Sequence, residues 1–386
     1  MNTEPIYLDH NATTPVLPEV VEAMLPYLTT HFGNPSSAHA YGRAPQKAVA
    51  HAREQVASLI GCEADEVIFT SGGTEANNLA IFGVAQARTD RPRIVTTAIE
   101  HPATAQACNA LQERGRPVVR LAVDAEGRID LSAVSRGIDH DVALVTLMHS
   151  NSETGTLQPV AEISRLAHAA GALIHTDAAQ SVGKVPVNVR ELGVDLLSIV
   201  GHKFYAPKGV GALYVRRGTP LVPFARGASQ ESGQRPGTEN VASIVALGAA
   251  CAIANRDLVA VAARMRALRD HLERRLAAAI PELALNGHRE LRLPNTLNVR
   301  LPNSTGNAVL AAAGATVAAS TGSACHSGDI TPSAVILAMG VSPAAALGSV
   351  RLTLGRGTTQ ADIDRAADAL IAAWHAVSSP ERQPAA

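Results

Sequence analysis

The sequence predicts an α/β fold built around a mainly parallel β-sheet. Seven short runs rich in strand-forming residues recur within the first 215 residues, and several of them are almost wholly apolar. Runs of this kind indicate strands that are buried on both faces, as in parallel sheets. Stretches with helical spacing lie between most of the runs, and this alternation predicts helices on both faces of the sheet.

The order of the predicted elements defines the topology of this sheet. The strands are predicted at residues 66–70, 93–97, 117–121, 143–148, 172–176, 195–200 and 211–215. Connecting helices are predicted at residues 75–87, 103–114 and 160–170. Crossovers between parallel strands are right-handed in nearly all proteins, and we expect the same hand here.

The pattern changes after about residue 218. A loop rich in glycine, serine and glutamine covers residues 227–240, and two helices are predicted at 241–254 and 258–279. A second, smaller α/β unit follows. Its strands are predicted at 295–300, 316–319 and 349–354, and its helices at 307–313, 333–339 and 360–376.

The composition excludes several functional classes. The 386 residues carry a formal net charge of −1 and only 3% are aromatic, so there is neither a basic field nor a set of base-stacking rings for nucleic acid. The start of the chain lacks the pattern of a signal peptide. The charge-free stretch 241–255 is too short to span a bilayer, and the stretch 304–325 is too polar. We therefore expect a cytoplasmic protein that contacts neither nucleic acid nor membrane directly.

The four cysteines have the spacing of neither a metal site nor a disulfide framework, so we predict free thiols and no bound metal. Cys62, Cys108 and Cys251 lie in contexts typical of inert structural thiols. Cys325 differs, because the surrounding A-S-T-G-S-A-C-H-S-G-D predicts an exposed, mobile loop in which a thiolate can react. The alternative is an incidental cysteine in a linker.

Lys203 lies in a turn between two buried strands, in G-H-K-F-Y-A-P-K-G. Apolar surroundings disfavour the ammonium form, which lowers the pKa and favours a nucleophilic neutral amine. Asp177 follows the preceding strand, so both side chains reach the edge of the sheet where α/β proteins bind ligands. A protonated pyridine nitrogen, as in pyridoxal phosphate enzymes, would suit this carboxylate. The alternatives are a solvated loop lysine and a helix-capping aspartate.

Two further stretches predict binding groups at the same edge. S-G-G-T-E-A-N-N at 71–78 follows a strand and opens a helix, where glycines and exposed N–H groups favour a phosphate. His101, in A-I-E-H-P-A, follows another strand, and its imidazole could stack on a cofactor ring or move protons. An ordinary capped helix and a loop histidine without a role are the alternatives.

Ten short blocks extend this pattern along nearly the whole chain. They are Y-L-D-H-N-A-T-T-P at 7–15, F-G-N-P-S-S at 32–37, T-S-G-G-T-E-A-N-N-L-A at 70–80, E-H-P-A at 100–103, E-T-G at 153–155, H-T-D-A-A-Q-S-V-G-K at 175–184, G-H-K-F-Y at 201–205, R-P-G-T-E-N at 235–240, G-S-A-C-H-S at 322–327 and S-V-R-L-T-L-G-R at 349–356. With these blocks, in this order, the chain resembles the cysteine desulfurases of the NifS/IscS type, which have selenocysteine lyases as close relatives.

The resemblance implies an overall architecture. It is the aspartate-aminotransferase-like fold type I of pyridoxal phosphate enzymes, with a seven-stranded, mainly parallel sheet in a large domain and a small α/β domain formed by both chain ends. We accordingly predict a large domain over 15–255, a small domain over 1–14 and 256–377, and a disordered tail over 378–386. The resemblance also implies an obligate homodimer whose sites draw on both subunits.

The resemblance assigns a role to each matching residue. Lys203 binds pyridoxal 5′-phosphate covalently, Asp177 pairs with the ring nitrogen, and His101 stacks on the ring. The other cofactor-binding residues that it implies are Gly73, Thr74, Ser152, His202, Gln180, which bonds the ring oxygen, and Thr238, which acts in the partner subunit's site. Arg351 and Asn34 are assigned to the substrate carboxylate. In the implied reaction Lys203 removes the Cα proton of cysteine, the Cys325 thiolate takes the sulfur as a persulfide, and alanine leaves. The sulfur then passes to an acceptor or scaffold protein for iron–sulfur cluster or thio-cofactor assembly.

Three positions depart from the family pattern. Ser152 replaces a ring-contacting asparagine, Val200 replaces a phosphate-binding serine, and Ala228-Ser229 replaces Gly-Gly. The V-G-H-K-F-Y and A-C-H-S segments resemble the selenocysteine lyase branch. Three alternatives to a cysteine desulfurase therefore stay open: a selenocysteine lyase, an inactive sulfur-relay scaffold, and an ordinary aminotransferase, which would need a keto-acid partner.

Overall fold

The computed structural model describes residues 4–321 and 331–378. Within them the strands are β1 Ile6–Tyr7, β2 Val67–Thr70, β3 Arg93–Thr97, β4 Val118–Leu121, β5 Val142–Met148, β6 Leu173–Asp177, β7 Leu196–Val200, β8 Gly211–Val215, β9 Ala284–Leu285, β10 Thr296–Arg300, β11 Val317–Ala318 and β12 Ser349–Thr353. The α-helices are α1 Pro18–Met24, α2 Pro26–Thr29, α3 Ala40–Ile60, α4 Gly73–Ala87, α5 Pro102–Glu113, α6 Leu131–Gly137, α7 Val160–Ala169, α8 Val189–Leu192, α9 Val241–Ala279, α10 Gly306–Ala313, α11 Ala334–Ala338, α12 Pro343–Ala346 and α13 Gln360–Ser378.

The central sheet has seven strands in the order β2-β8-β7-β6-β5-β3-β4. Only β8 runs against its neighbours, pairing antiparallel with β2 and with β7. Every residue of β5 and of β7 is buried, because helices cover both faces of the sheet. The predicted fold class, a mainly parallel seven-stranded sheet in an α/β protein, is confirmed.

A second core joins the two ends of the chain. Ile6 and Leu8 pack in one apolar cluster with residues of α9, α10, β10, β12 and α13. The strands here form a three-stranded antiparallel sheet, β12-β10-β9, and a parallel pair, β1-β11. The boundaries of the two predicted domains stay a prediction. The helix α13 ends at Ser378, and the rest of the predicted tail lies outside the described residues.

The helix α9 differs from the two helices that the sequence predicts. It runs unbroken for 39 residues, because the polar segment Asn255, Arg256 and Asp257 contains neither glycine nor proline and its side chains reach the surface or half-buried positions. The sequence analysis considered only residues 241–255, which are too short to span a bilayer. The whole helix α9 is long and apolar enough to do so by length and composition. Core helices of soluble proteins meet the same criterion, and α9 packs against α1, α3 and α13.

Candidate active site

One open cavity of about 850 Å³ lies at the carboxyl ends of the central strands. β5, β6 and β7 are in register there, since Met148 pairs with Asp177 and Asp177 with Ser198. The amino end of α4 and the strand β12 complete the walls. Nine of the predicted site residues line this cavity: Gly73, Thr74, His101, Ser152, Asp177, Gln180, His202, Lys203 and Arg351.

Lys203 ends a single 3₁₀ turn that follows β7. Its Nζ donates to the backbone oxygens of Asn11 (2.7 Å) and Ala12 (2.8 Å). Burial lowers the pKa of Lys203 to about 8, and the positive charge of Arg351 acts in the same direction. The amine is therefore available in its neutral, nucleophilic form near neutral pH, as the sequence predicts.

Asp177 is the last residue of β6 and is 7% exposed. Its Oδ2 accepts from Asn77 Nδ2 at 2.7 Å, and its Oδ1 accepts from the backbone N–H of Ala179 at 2.9 Å. Both donors are neutral, and no ion pair to Asp177 occurs among the described residues. A buried carboxylate without a cation favours a positively charged ligand atom. The sequence did not identify Asn77, although it lies one helical turn beyond Gly73 on α4.

The amino end of α4 forms an anion-binding cradle. Its N-cap residue is Gly72, with φ 145°, and glycine has no side chain to accept a hydrogen bond. The first N–H groups of this 15-residue helix therefore have no side-chain cap. A Cβ on Gly73 would lie 2.5 Å from Val200 Cγ2, which shows how closely the wall approaches the backbone. The acidic Glu75 in the first turn is paired with Arg235, Oε1 to Nε at 2.9 Å. The cradle suits a phosphate.

Two histidines flank this cradle. His101 caps α5: its Nδ1 accepts from the N–H of Ala103 at 3.1 Å, so a neutral ring carries its proton on Nε2. Burial lowers its pKa. His202 Nδ1 lies 3.2 Å from Thr13 Oγ1, and burial together with the charge of Lys203 lowers its pKa to about 4. Both rings are therefore neutral at physiological pH and can offer an N–H to a ligand.

Arg351 lies in the middle of β12 and is 8% exposed. Its Nη2 pairs with Asp9 Oδ1 at 2.8 Å, and its Nη1 donates to the backbone oxygen of Ser152 at 3.2 Å. The buried Nε has no partner among the described atoms. The guanidinium lines the cavity, and its two Nη atoms carry N–H groups beyond the two bonds named, so it suits a carboxylate ligand. Asp9, which orients it, was missed in the sequence although it belongs to the Y-L-D-H-N block.

Glu100 is a further cavity residue that sequence reasoning missed. Its Oε1 accepts from Thr97 Oγ1 at 2.5 Å and from the N–H of Met148 at 3.1 Å, while its buried Oε2 has no partner in the part of the chain that the structure describes. Burial raises the pKa of this carboxyl to about 8. The side chain is therefore a neutral acid at pH 7, a state that only its tertiary surroundings determine.

Three predicted site residues are not placed in this cavity. Asn34 is exposed, and its Oδ1 caps the N–H of Ser36 at 2.8 Å. Thr238 is also exposed and away from the cavity wall. Cys325, in the loop predicted to react, lies outside the described residues. The roles that the sequence analysis gave to these three residues stay predictions.

The other three cysteines are thiols, in agreement with the sequence analysis. Burial raises the pKa of Cys62 to about 12 and that of Cys108 to about 11, and it also raises the pKa of Cys251. A protonated thiol is a poor nucleophile. These three side chains are therefore structural.

The donor set of the cavity fits pyridoxal 5′-phosphate. The N-terminal N–H groups of α4 fit its phosphate, and the unpaired carboxylate of Asp177 fits a protonated ring nitrogen. The amine of Lys203 has only carbonyl partners, so it is free to react with an aldehyde. His101 and Gln180 line the same space.

Known proteins resemble this chain over nearly its whole length. Residues 6–366 match the family model described as aminotransferase class-V. A cysteine desulfurase of Gluconacetobacter diazotrophicus is 47% identical over 368 residues, or 95% of this chain and 92% of that protein. The cysteine desulfurase NifS of Azotobacter vinelandii is 46% identical, with 93% and 90% covered. A solved NifS-like protein superposes with a TM-score of 0.90 at 34% identity, covering 96% of this chain and 99% of that one. Matches of this extent, on top of the shared sheet and cavity, make the chain a member of the class-V aminotransferase family.

Proposed function

We propose that this chain is a pyridoxal phosphate-dependent cysteine desulfurase, which converts L-cysteine to L-alanine and transfers the sulfur to a protein thiol. The observation that carries the proposal is one cavity containing a reactive amine, Lys203, and an unpaired carboxylate, Asp177, beside the free amino end of α4. The relatives named cysteine desulfurase support the same reaction.

The cofactor would be held at three points. Gly73 and Thr74 would hold the phosphate, Asp177 would keep the ring nitrogen protonated, and His101 would stack on the ring. When bound, pyridoxal phosphate supplies an electron sink that makes the Cα proton of an amino acid acidic. His202 is neutral and donates rather than adding a charge.

Two side chains of the cavity, Arg351 and Lys203, bind and deprotonate the substrate. The substrate carboxylate binds the guanidinium of Arg351, whose orientation Asp9 fixes. Lys203 takes the Cα proton, because its pKa of about 8 lets it accept and return a proton near neutral pH. Cys325, assigned by resemblance, forms a bond to the substrate sulfur as the carbon–sulfur bond breaks, leaving a persulfide on the enzyme. The electron pair of the broken bond stays on the substrate carbon, which takes up a proton to become the methyl group of alanine.

We infer that the enzyme works as a homodimer. The side chains of Val21, Leu25, Leu28, Phe32 and Tyr41 are large, apolar and between 37% and 69% exposed in one N-terminal region. Patches of this kind mark protein interfaces. Asn34 lies beside Phe32 in this region, and Thr238 likewise lies away from its own cavity, so a second copy can bring such residues to a site. Sedimentation of wild type and of Phe32→Asp tests this: the variant should be monomeric, and a monomeric wild type would contradict it.

The decisive experiment compares wild type, Cys325→Ala and Cys62→Ala. Each protein is incubated with L-cysteine and, separately, with L-selenocysteine, and alanine is quantified together with sulfide or selenide. Cys62→Ala is the matched control, because the raised pKa of this half-buried thiol keeps it protonated and it should be dispensable. We expect wild type and Cys62→Ala to turn over cysteine and Cys325→Ala to lose that activity.

Other outcomes distinguish the alternatives. A strong preference for selenocysteine that survives in Cys325→Ala identifies a selenocysteine lyase, because the selenol fragment leaves more readily. Alanine formation from neither substrate, in protein that binds the cofactor, overturns the desulfurase assignment. A colourless protein that binds no cofactor would support the alternative of an inactive sulfur-relay scaffold. The sulfur-acceptor protein is then sought by following labelled sulfur from Cys325 to candidate partners.

A further inference from the structure

Lys184 is a buried lysine behind the cofactor cavity, and the proposed mechanism does not use it. It is 5% exposed and lies at the end of the H-T-D-A-A-Q-S-V-G-K block. Its Nζ donates to Gln180 Oε1 at 2.7 Å and to Asn11 Oδ1 at 3.0 Å. No ion pair to Lys184 occurs in the described parts of the chain. Burying a lysine without a carboxylate partner is costly, so the burial of this side chain points to a functional role.

The charges around Lys184 favour the neutral amine. Burial lowers its pKa well below the usual value, and the positive charges of Lys203 and Arg351 lower it further. The charge of Lys184 would in turn lower the pKa of His10 and of His202. Two acceptors, Gln180 Oε1 and Asn11 Oδ1, receive N–H groups of its Nζ. Lys184 therefore acts as a two-fold hydrogen-bond donor, without a carboxylate partner among the described residues.

The two contacts of Gln180 determine which way its amide points. Its Oε1 accepts from Lys184, and its Nε2 donates to the backbone oxygen of Asn11 at 2.9 Å. A flipped amide would place its oxygen against that carbonyl oxygen and its nitrogen against the Lys184 donor, so both bonds would be lost. The remaining N–H of Nε2 is therefore what Gln180 offers on the cavity wall.

Asn11 connects this arrangement to Lys203 and to the small sheet. Its backbone oxygen accepts from both Gln180 Nε2 and Lys203 Nζ. Its side chain is fixed by Thr296, whose Oγ1 accepts from Asn11 Nδ2 at 2.9 Å, and by Asn295. Asn11 is 1% exposed, so it has no water to replace these partners. Lys184 Nζ supplies one of the two donors to its Oδ1.

We propose that Lys184 is a positioning residue: by donating to Gln180 it holds that amide as an N–H donor toward the ring oxygen of pyridoxal phosphate. This inference rests on the proposed function. A donor to an anionic ring oxygen both binds the cofactor and lowers the basicity of that oxygen. Without Lys184 the Gln180 amide keeps only its bond to the Asn11 carbonyl, so its orientation is held less firmly and its charge-assisted hydrogen bond to the cofactor is weakened.

The test is a double-mutant cycle on the full chain with Lys184→Met, Gln180→Ala and the combined variant. Lys184→Met keeps the length of the side chain and removes the donor. Affinity of the apoproteins for pyridoxal 5′-phosphate is measured by equilibrium dialysis, and the pKa of the bound cofactor by pH titration of its visible absorption. We expect Lys184→Met to weaken binding about tenfold and to raise the cofactor pKa by about one unit. In the Gln180→Ala background, Lys184→Met should change neither quantity.

Each outcome either supports or overturns the positioning role of Lys184. Multiplicative effects of the two substitutions, or wild-type affinity and cofactor pKa in Lys184→Met, would overturn the positioning role. If Lys184→Met does not fold, Lys184→Leu, which also removes the donor, is carried through the same cycle with the same criteria. Failure of the wild type to bind pyridoxal 5′-phosphate would instead contradict the proposed function itself.

Discussion

The contact between Gly73 and Val200 gives a quantitative prediction about the phosphate cradle. In Gly73→Ala the new Cβ would lie 2.5 Å from Val200 Cγ2, whereas ordinary contacts are 3.4–4 Å. One group must therefore move by about 1 Å. Val200 cannot rotate away easily, because it is β-branched, 5% exposed and packed at the end of β7. The displacement falls on the first turn of α4.

Two opposing effects determine the stability of Gly73→Ala. Replacing glycine by alanine in a helix stabilises it by up to about 1 kcal/mol. Overpacking of a tight site costs about 1–3 kcal/mol. We expect a net loss of about 1 kcal/mol in the free energy of unfolding. Moving the Gly73 N–H weakens one charge-assisted bond to phosphate, worth about 1.5–3 kcal/mol, so the cofactor Kd should rise about 10- to 100-fold.

The assay measures urea unfolding of the apoprotein and the Kd for pyridoxal 5′-phosphate. Gly357→Ala is the matched control, because nothing lies within 4 Å of its Cβ position. Val200→Ala removes the clashing methyl, so Gly73→Ala should cost little in that background. Equal Kd values for Gly73→Ala and wild type, or an undiminished cost in the Val200→Ala background, would refute the steric argument.

Three further predictions follow from the same cavity. In the apoprotein, the reaction of Lys203 with an amine-selective acylating reagent, followed by peptide mass spectrometry, should have its pH midpoint near 8, about two units below that of an ordinary lysine. A midpoint near 10 would contradict the lowered pKa. Between pH 4.5 and about 8, Glu100 holds a proton in the folded state that the unfolded chain has released. The free energy of unfolding of wild type should therefore fall relative to that of Glu100→Gln as the pH rises through this window. An equal difference between the two proteins in urea unfolding at pH 5 and at pH 8 would argue against it. Arg351→Lys loses the forked contact to the substrate carboxylate, so kcat/KM for cysteine should fall about 100-fold, mainly through KM, with cofactor affinity retained; an unchanged KM would exclude Arg351 as the anchor.

The sequence by itself determined the strand order along the chain and most of the cavity. Apolar runs flanked by turn residues are local signals, so β2 to β8 were predicted to within a residue or two. Motif residues such as Lys203 and Asp177 follow strands that end at one edge of the sheet, so their proximity was predictable from topology. The fused helix α9 was not, because polar residues on an exposed face mimic a break.

Only the tertiary structure decided the protonation states and the partners behind the motif residues. Burial raises the pKa of Glu100 to about 8 and lowers the pKa of Lys184, and no local sequence pattern indicates either shift. Asn11, Asn77 and Asp9 took their roles from contacts with residues that lie 100 to 342 positions away in the chain. Hydrogen-bond geometry of that range depends on how strands and helices pack, and packing is a property of the whole fold.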